Sequence, residues 1–356
     1  MEQSTLLLAE GLVALGHGVE ILSLNEMGPL KPVLEAKGIP ASAVGYHGIW
    51  GWRSFLRLKR ILRGKKADAL VMVGHNLMAM LAIGDFCKKN RILSLHFHHQ
   101  GVKSKFAWNL IYMVAVMRFR RIIYPSRFIM NEAMVFVPRL HRTDKIVSYP
   151  ISTPITLPSA SFEGTRLHGA QLLGLDPSKK YVGNAGWLIP RKRWDIFLQV
   201  AAAVATSVPE ARFLIAGDGP DKASLEQLAR DLKIADRVIW MGWKKNLDSF
   251  YRVLDVMVFN SDWDAMGRTP LEAMSYGIPV VASMLHGGLR EMMRSDDYGF
   301  LFNSHDVPAI AARVVEMLTN EKKAREIGDA ARNHIAEVGS PRKHAEKVAA
   351  LLSLRS

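Results

Sequence analysis

Two carboxylates, Asp264 and Glu272, stand with seven residues between them in the stretch from Asn260 to Glu291. Gly267 follows the first acid, and an apolar helical pattern (Leu271, Ala273, Met274) carries the second. Gly277 and Pro279 break that helix, and Val280, Val281 and Ala282 read as a short buried strand. A His-Gly-Gly turn and Glu291 close the unit. The order is loop, helix N-terminus, helix, strand, Gly-rich loop. A helix N-terminus offers backbone N–H groups and a positive dipole end to an anion. Glu272, one turn further in, would meet hydroxyls just beyond that anion, as a sugar phosphate or a nucleotide requires. The same spacing also fits a helix cap and an ordinary surface acid.

A second group is cationic. Arg191, Lys192 and Arg193 fall between a strand and a helix in the segment GWLIPRKRWD. Lysine gives a mobile point charge and arginine a bidentate fork, so the cluster suits a diphosphate, though a solvated charged turn reads the same way. A third group is His96, His98 and His99, just after the strand Ile92–Leu95. Open α/β sheets bind ligands beyond the carboxyl ends of their strands. The spacing fits metal poorly, with no carboxylate cluster nearby, and favours one catalytic or substrate-binding histidine.

The elements that must position these groups alternate. Residues 3–16 have helical periodicity, and Val19–Leu24 reads as a strand. A short helix and return strand lie between Pro29 and Tyr46, and strands are expected at Ala69–Val73 and Ile122–Tyr124. Tyr149–Ser161, rich in Pro, Ser and Thr, reads as an interdomain linker. Beyond it come strands Tyr181–Ala185, Arg212–Ala216, Val238–Met241 and Val256–Asn260, with helices between them, then helices to the C-terminus. Such alternation predicts mostly parallel sheets in an α/β fold.

The length of 356 residues suits two domains. A single cysteine, Cys87, excludes a disulfide framework and a multi-thiolate zinc site, and reads as a buried reduced thiol. With an N-terminus that shows no signal-peptide pattern, this points to the cytoplasm. The longest apolar run, Ala107–Met117, falls short of the roughly 18 residues of a spanning helix. The net charge is +14, and residues 1–150 hold 21 Lys and Arg against 9 Asp and Glu. Trp50–Lys66 alone has seven basic residues and no acid, interleaved with Trp50, Trp52, Phe55, Leu56, Ile61 and Leu62. It reads either as a surface helix or as a basic amphipathic helix on an anionic membrane at the inner face of the plasma membrane. No nucleic-acid readout motif accompanies the charge, so nucleic acid is not expected as a partner.

Taken together the motifs resemble the retaining GT-B glycosyltransferases, glycosyltransferase family 4 (group 1). The matching residues are Gly186-Trp187-Leu188 with Lys192, Ala216–Pro220, Trp240-Met241-Gly242, Asp264 with Glu272, and Leu271–Ser283 with Gly287, Gly288 and Glu291. The resemblance is strong over residues 181–337 and looser over 1–150. It implies an α/β GT-B fold: two Rossmann-like domains with mostly parallel sheets facing a cleft. Residues 1–155 would bind the acceptor, residues 156–340 the nucleotide sugar, and a C-terminal helix (341–356) would pack back on the first domain.

The resemblance also implies roles. Glu272 would hold the ribose hydroxyls and Asp264 would lie beside the donor sugar. Lys192, with Arg191 and Arg193, would neutralise the diphosphate, and the backbone of Gly267, Arg268 and Thr269 would face phosphate and sugar. Trp243 would lie near the base. His96, with His98 and His99 as alternatives, would approach the reacting carbon. The expected partners are a nucleotide-diphosphate sugar and a saccharide or lipid-linked acceptor, with no cofactor and no metal. Three departures stand out. Asp264 replaces the usual Glu, and Trp187 replaces an arginine. The family's opening strand and Gly-Gly loop have no counterpart before Met1-Glu2-Gln3-Ser4, as in an N-terminally truncated member, which implies weak donor binding or an inactive chain. The alternative readings are a non-catalytic sugar-nucleotide-binding protein and a GT-B-fold sugar-nucleotide epimerase.

Overall fold

The computed structural model describes residues 2–28, 30–45, 52–95, 104–137, 147–150, 154–155, 158 and 165–352. The chain divides into two units, one of residues Met1–Pro154 with Pro341–Ser356 and the other of Ile155–Ser340.

In the first unit α1 (Glu2–Ala14) leads to the parallel pair β1 (Ile21–Ser23) and β2 (Ala41–Ala43), joined by α2 (Leu30–Ala36). Next come α3 (Trp52–Arg63), β3 (Leu70–Val73), α4 (Leu77–Ala82), β4 (Arg91–Ser94), α5 (Lys105–Arg118), β5 (Arg121–Tyr124), α6 (Arg127–Phe136) and β6 (Val147–Pro150). The last four strands form one parallel sheet in sequence order. Leu8 and Leu12 of α1 bury against Ile92 and Ile123, and α15 (Pro341–Leu351) adds Ala345, Val348 and Ala349 to the same cluster. Ala9 of α1 buries instead with Leu34 and Ile39 beside β1 and β2, so one helix packs over both sheets. Two expectations need correction. Tyr149 and Pro150 are not linker; they pair in β6 with Ile123 and Tyr124. Cys87 is half-buried rather than buried, and its Sγ donates to the Ala67 carbonyl at 3.1 Å.

The second unit begins with α7 (Thr165–Leu173), β7 (Lys180–Ala185), α8 (Trp194–Ser207), β8 (Ala211–Ala216), α9 (Lys222–Asp231) and β9 (Val238–Trp240). It continues with α10 (Asp248–Val253), β10 (Val256–Asp264), α11 (Arg268–Ser275), β11 (Val280–Gly287), α12 (Leu289–Met292), β12 (Phe300–Phe302), α13 (Val307–Thr319) and α14 (Glu321–Val338). All six strands are parallel, in the order β12-β11-β10-β7-β8-β9. Successive residues feed opposite faces, as a strand's period of two requires. Phe213 and Ile215 bury with α8 and α13, while Leu214 and Ala216 bury with α10 and α11. Both faces being covered explains the nearly unbroken apolar runs of these strands.

This order has a consequence for the site. From β7 the chain moves outward through β8 and β9, then returns to place β10 on the other flank of β7. The direction of winding therefore reverses between β7 and β10, and the crevice beyond the carboxyl ends of such a pair is where open α/β sheets hold ligands.

Candidate functional site

Beyond β7 the chain makes one 3-10 turn, Pro190–Lys192, and enters α8 through Arg193, which adopts a left-handed conformation (φ 46°, ψ 49°). That backbone suits glycine or asparagine better than arginine. Its retention is explained by the side chain. Arg193 Nε and Nη2 donate to Asp195 at 3.0 and 2.9 Å, and Nη1 donates to Asp262 at 3.2 Å. Arg193 is thus committed to two carboxylates and acts as a tether, rather than standing free as the phosphate ligand expected of it. Those carboxylates hold its guanidinium further into the charged form, against the opposing effect of burial.

The end of β10 fastens the turn residue by residue. Ser261 Oγ donates to the Arg191 carbonyl at 3.2 Å, Asp262 takes Arg193, and the Trp263 carbonyl accepts from Arg191 Nη1 at 3.3 Å. Arg191 also lies over the Trp263 ring, 4.3 Å from its centroid. Asp264 forms an ion pair with Lys192. The expected strand Val256–Asn260 therefore continues to Asp264, and the first acid sits on a strand end, not in a loop. Burial alone would raise the Asp264 carboxyl; Lys192, then Arg191 and the Gly267 N–H, outweigh it and hold the carboxyl below its ordinary range. Gly287 makes room on the neighbouring strand. A Cβ there would lie 2.3 Å from the Asp264 carbonyl oxygen, and its φ of 152° also favours glycine.

Gly267 (φ 75°) turns the chain from β10 into α11, and its N–H donates to Asp264 at 3.3 Å. Gly267, as the N-cap, has no side chain to cap α11, whose first residues are Arg268 and Thr269. Glu272 lies one turn in, with its side chain 16 % exposed. Arg268 Nε donates to its Oε1 at 2.6 Å and the Tyr251 hydroxyl to its Oε2 at 2.8 Å. Burial and the facing Glu272 push the Tyr251 phenol well above its usual range, so it remains a donor at all ordinary pH. Trp243 is 62 % exposed just beyond β9, and Trp187, 59 % exposed, follows β7, where its carbonyl accepts from Trp194 Nε1 at 2.8 Å.

The structure thus brings Arg191, Lys192, Arg193 and Asp264 into one cluster and fixes Glu272 on the adjoining helix. His96, His98 and His99 lie outside the described residues. Sequence reasoning missed Tyr251, Ser261, Asp262 and His305. Asp262 carries a readable signal, since Asn260, Asp262 and Asp264 alternate as polar residues on one side of a strand. Among the described residues no group of three or more His, Cys, Asp or Glu is placed to hold a metal ion.

Residues 171–334 match the model of the glycosyl transferases group 1, and residues 1–140 match that of Glycosyltransferase Family 4. The N-acetyl-alpha-D-glucosaminyl L-malate synthase of Bacillus anthracis is 30% identical over 164 residues, 46% of this chain and 42% of that protein. The lipopolysaccharide core biosynthesis mannosyltransferase LpsB of Rhizobium meliloti is 34% identical over 145 residues, 39% of this chain and 41% of that protein. The chain therefore spans less than half the length of these relatives. Among solved structures, Anabaena HepE in complex with UDP and glucose superposes with a TM-score of 0.74 at 19% identity, over 98% of this chain and 95% of that one. A glycosyltransferase from Rickettsia africae gives 0.76 at 17% identity, over 99% and 94%. The two family models lie in order along most of the chain and, with these neighbours, support a group 1 glycosyltransferase of GT-B fold.

Proposed function

We propose that the protein is a retaining, metal-independent glycosyltransferase. It moves a sugar from a nucleotide-diphosphate sugar to a saccharide or lipid-linked acceptor in polysaccharide or glycolipid biosynthesis. The observation that carries this reading is the Lys192–Asp264 pair at the point where the winding of the sheet reverses. It sets a cation and a carboxylate side by side at the kind of crevice where open α/β sheets hold ligands, with Glu272 oriented by Arg268 and Tyr251 one helical turn away. Relatives named for mannosyl and N-acetylglucosaminyl transfer, and a neighbour solved with UDP and glucose, support the same reading.

In the reaction the bond between the donor's anomeric carbon and the diphosphate oxygen breaks, and a bond to the acceptor oxygen forms on the same face. Negative charge grows on the leaving diphosphate, where Lys192 and Arg191 stabilise it in place of a divalent cation. The acceptor proton leaves with the phosphate oxygen. Glu272 accepts from the ribose hydroxyls, Asp264 lies beside the donor sugar, Trp243 near the base, and His96 or a neighbouring histidine near the reacting carbon.

The acceptor side is assigned to the first unit and to an anionic membrane at the inner face of the plasma membrane. On α3, Arg53, Arg57, Arg60 and Arg63 are exposed together with Trp52 (63 %) and Leu56 (47 %). On α5, Phe106 is 79 % exposed and Met117 64 %. Among the described residues no helix is long and apolar enough to cross a membrane.

The test is a thermal-shift screen of UDP, GDP and ADP sugars against the wild type and Glu272→Ala. A nucleotide present at 100 times its dissociation constant stabilises by about 2.7 kcal/mol. One nucleotide series is expected to raise the melting temperature of the wild type and not of the variant. With that donor, NMR of the product should show the donor's anomeric configuration, undiminished in EDTA. No shift with any nucleotide would count against the donor site, and inversion against the retaining mechanism.

A further inference from the structure

A buried hydrogen-bonded chain runs from the core of the second unit to the cationic turn, and no part of the mechanism above uses it. Asn260 and Ser283 are cross-strand partners on β10 and β11, both completely buried, and Asn260 Nδ2 donates to Ser283 Oγ at 2.8 Å. Ser283 Oγ lies 2.7 Å from His305 Nδ1, and His305 Nε2 lies 3.1 Å from Asp262 Oδ1. His305 comes from the segment between β12 and α13 and has only 9 % of its side chain exposed. The directions follow from the ends. A carboxylate only accepts, so Nε2 carries a proton; in the neutral ring Nδ1 then accepts from Ser283, which accepts from Asn260. Asp262 Oδ1 also accepts from Arg193 Nη1.

A core built only for stability would not contain this chain. Burying Asn260 and Ser283 completely, and His305 nearly so, costs free energy even when they are paired, and Asn260 Oδ1 has no partner among the described residues. An aliphatic pair at these positions would pack without that cost. What the chain achieves is positional. It fixes the Asp262 carboxylate against the rigid sheet, and Asp262 fixes Arg193, itself the left-handed residue that follows Lys192.

We infer that His305 and Asp262 are positioning residues that, through Arg193, lock the Pro190–Lys192 turn so that Lys192 is presented to a diphosphate. This rests on the donor reading for its ligand, but not for the tether itself. The residues act by holding geometry, and a cation misplaced by about an ångström loses much of its effect on a transferring group.

The experiment has two arms. Amide hydrogen exchange is followed by mass spectrometry in the wild type, Asp262→Ala, His305→Ala and the near-isosteric Asp262→Asn. The expected result is faster exchange in residues 187–195 of the alanine variants, with peptides from β8 and β11 unchanged and a smaller effect in Asp262→Asn. Unchanged exchange in 187–195, or acceleration spread evenly over the sheet, would overturn the tether. In the second arm, affinity for whichever of UDP, GDP or ADP the wild type binds is measured for His305→Ala, Lys192→Ala and the double variant. His305→Ala should weaken binding about tenfold, within the range for residues coupled in one network. It should have no further effect once Lys192 is gone. Additive losses would overturn the link to Lys192. If the wild type binds none of the three, the donor reading fails, and the exchange arm still decides whether the turn is tethered.

Discussion

Lys192 and Asp264 neutralise each other across the end of one strand, and both give up water to do so. The pairing leaves a pH signature. The folded-state pKa of Asp264 is depressed below the 3.8 of a free carboxyl, so its stabilising contribution is complete above that value and is lost as pH falls through the lower, folded-state value. Melting temperatures of the wild type and Asp264→Asn should therefore differ most near neutrality and converge in acid, whereas parallel curves would show that the carboxylate is not held this way. Chemistry should respond more strongly. Removing one charge-stabilising group from a transfer site typically costs about 10²–10³ in rate, so Lys192→Met should lose that much in kcat while keeping its fold by circular dichroism. These two residues were legible in the sequence because each sits inside an ordered motif. Their supports were not. His305 is 43 positions from Asp262, and Tyr251 is 21 from Glu272, so no local spacing connects them. The parallel order of the sheet, which brings the segment after β12 alongside the ends of β10 and β11, creates the first contact, and the packing of α10 beside α11 creates the second.

At the scale of elements, long apolar strands and amphipathic helices of the second unit were legible from period alone, since burial on both faces leaves a run such as Ala211–Ala216. Short or polar pieces were not. The extension of β10 through Ser261, Asp262, Trp263 and Asp264 carries no apolar alternation; it is strand because β11 continues beside it as far as Gly287. The helices Leu77–Ala82 and Thr165–Leu173 and the strand Phe300–Phe302 are too short to show a period above background. Packing between helices also overrides local preference. Gly328 lies inside α14, where alanine would ordinarily be favoured by about 1 kcal/mol. A Cβ at that position would meet the Gly277 carbonyl oxygen at 2.0 Å, at the loop that ends α11. Backbone has little room to yield, and overpacking of this kind costs roughly 1–3 kcal/mol. Gly328→Ala should therefore lower the melting temperature, and a rise would show that α14 can move away from the Gly277 turn.

The whole molecule is electrically lopsided, with residues 1–150 carrying 21 Lys and Arg against 9 Asp and Glu while the full chain has 47 against 33. Such a field attracts anionic surfaces and has no bearing on the choice of fold. What turns it into a specific prediction is that α3 combines exposed arginines with exposed Trp52 and Leu56, and that α5, which like α3 packs against α4, adds exposed Phe106 and Met117. Each basic residue near an anionic bilayer contributes about 1 kcal/mol, and the attraction fades beyond a Debye length of about 10 Å at 0.1 M salt. Replacing Arg53, Arg57, Arg60 and Arg63 by glutamate should therefore abolish cosedimentation with phosphatidylglycerol vesicles. Trp52→Ala with Phe106→Ala should weaken binding by a step that persists in high salt. Vesicles of phosphatidylcholine should bind neither form. If the four-fold charge reversal left binding to anionic vesicles unchanged, the membrane assignment of this face would fall, and the basic excess of the first half would have to serve an anionic acceptor directly. The nucleotide screen is indifferent to that outcome, because the residues it reports on all lie in the second unit.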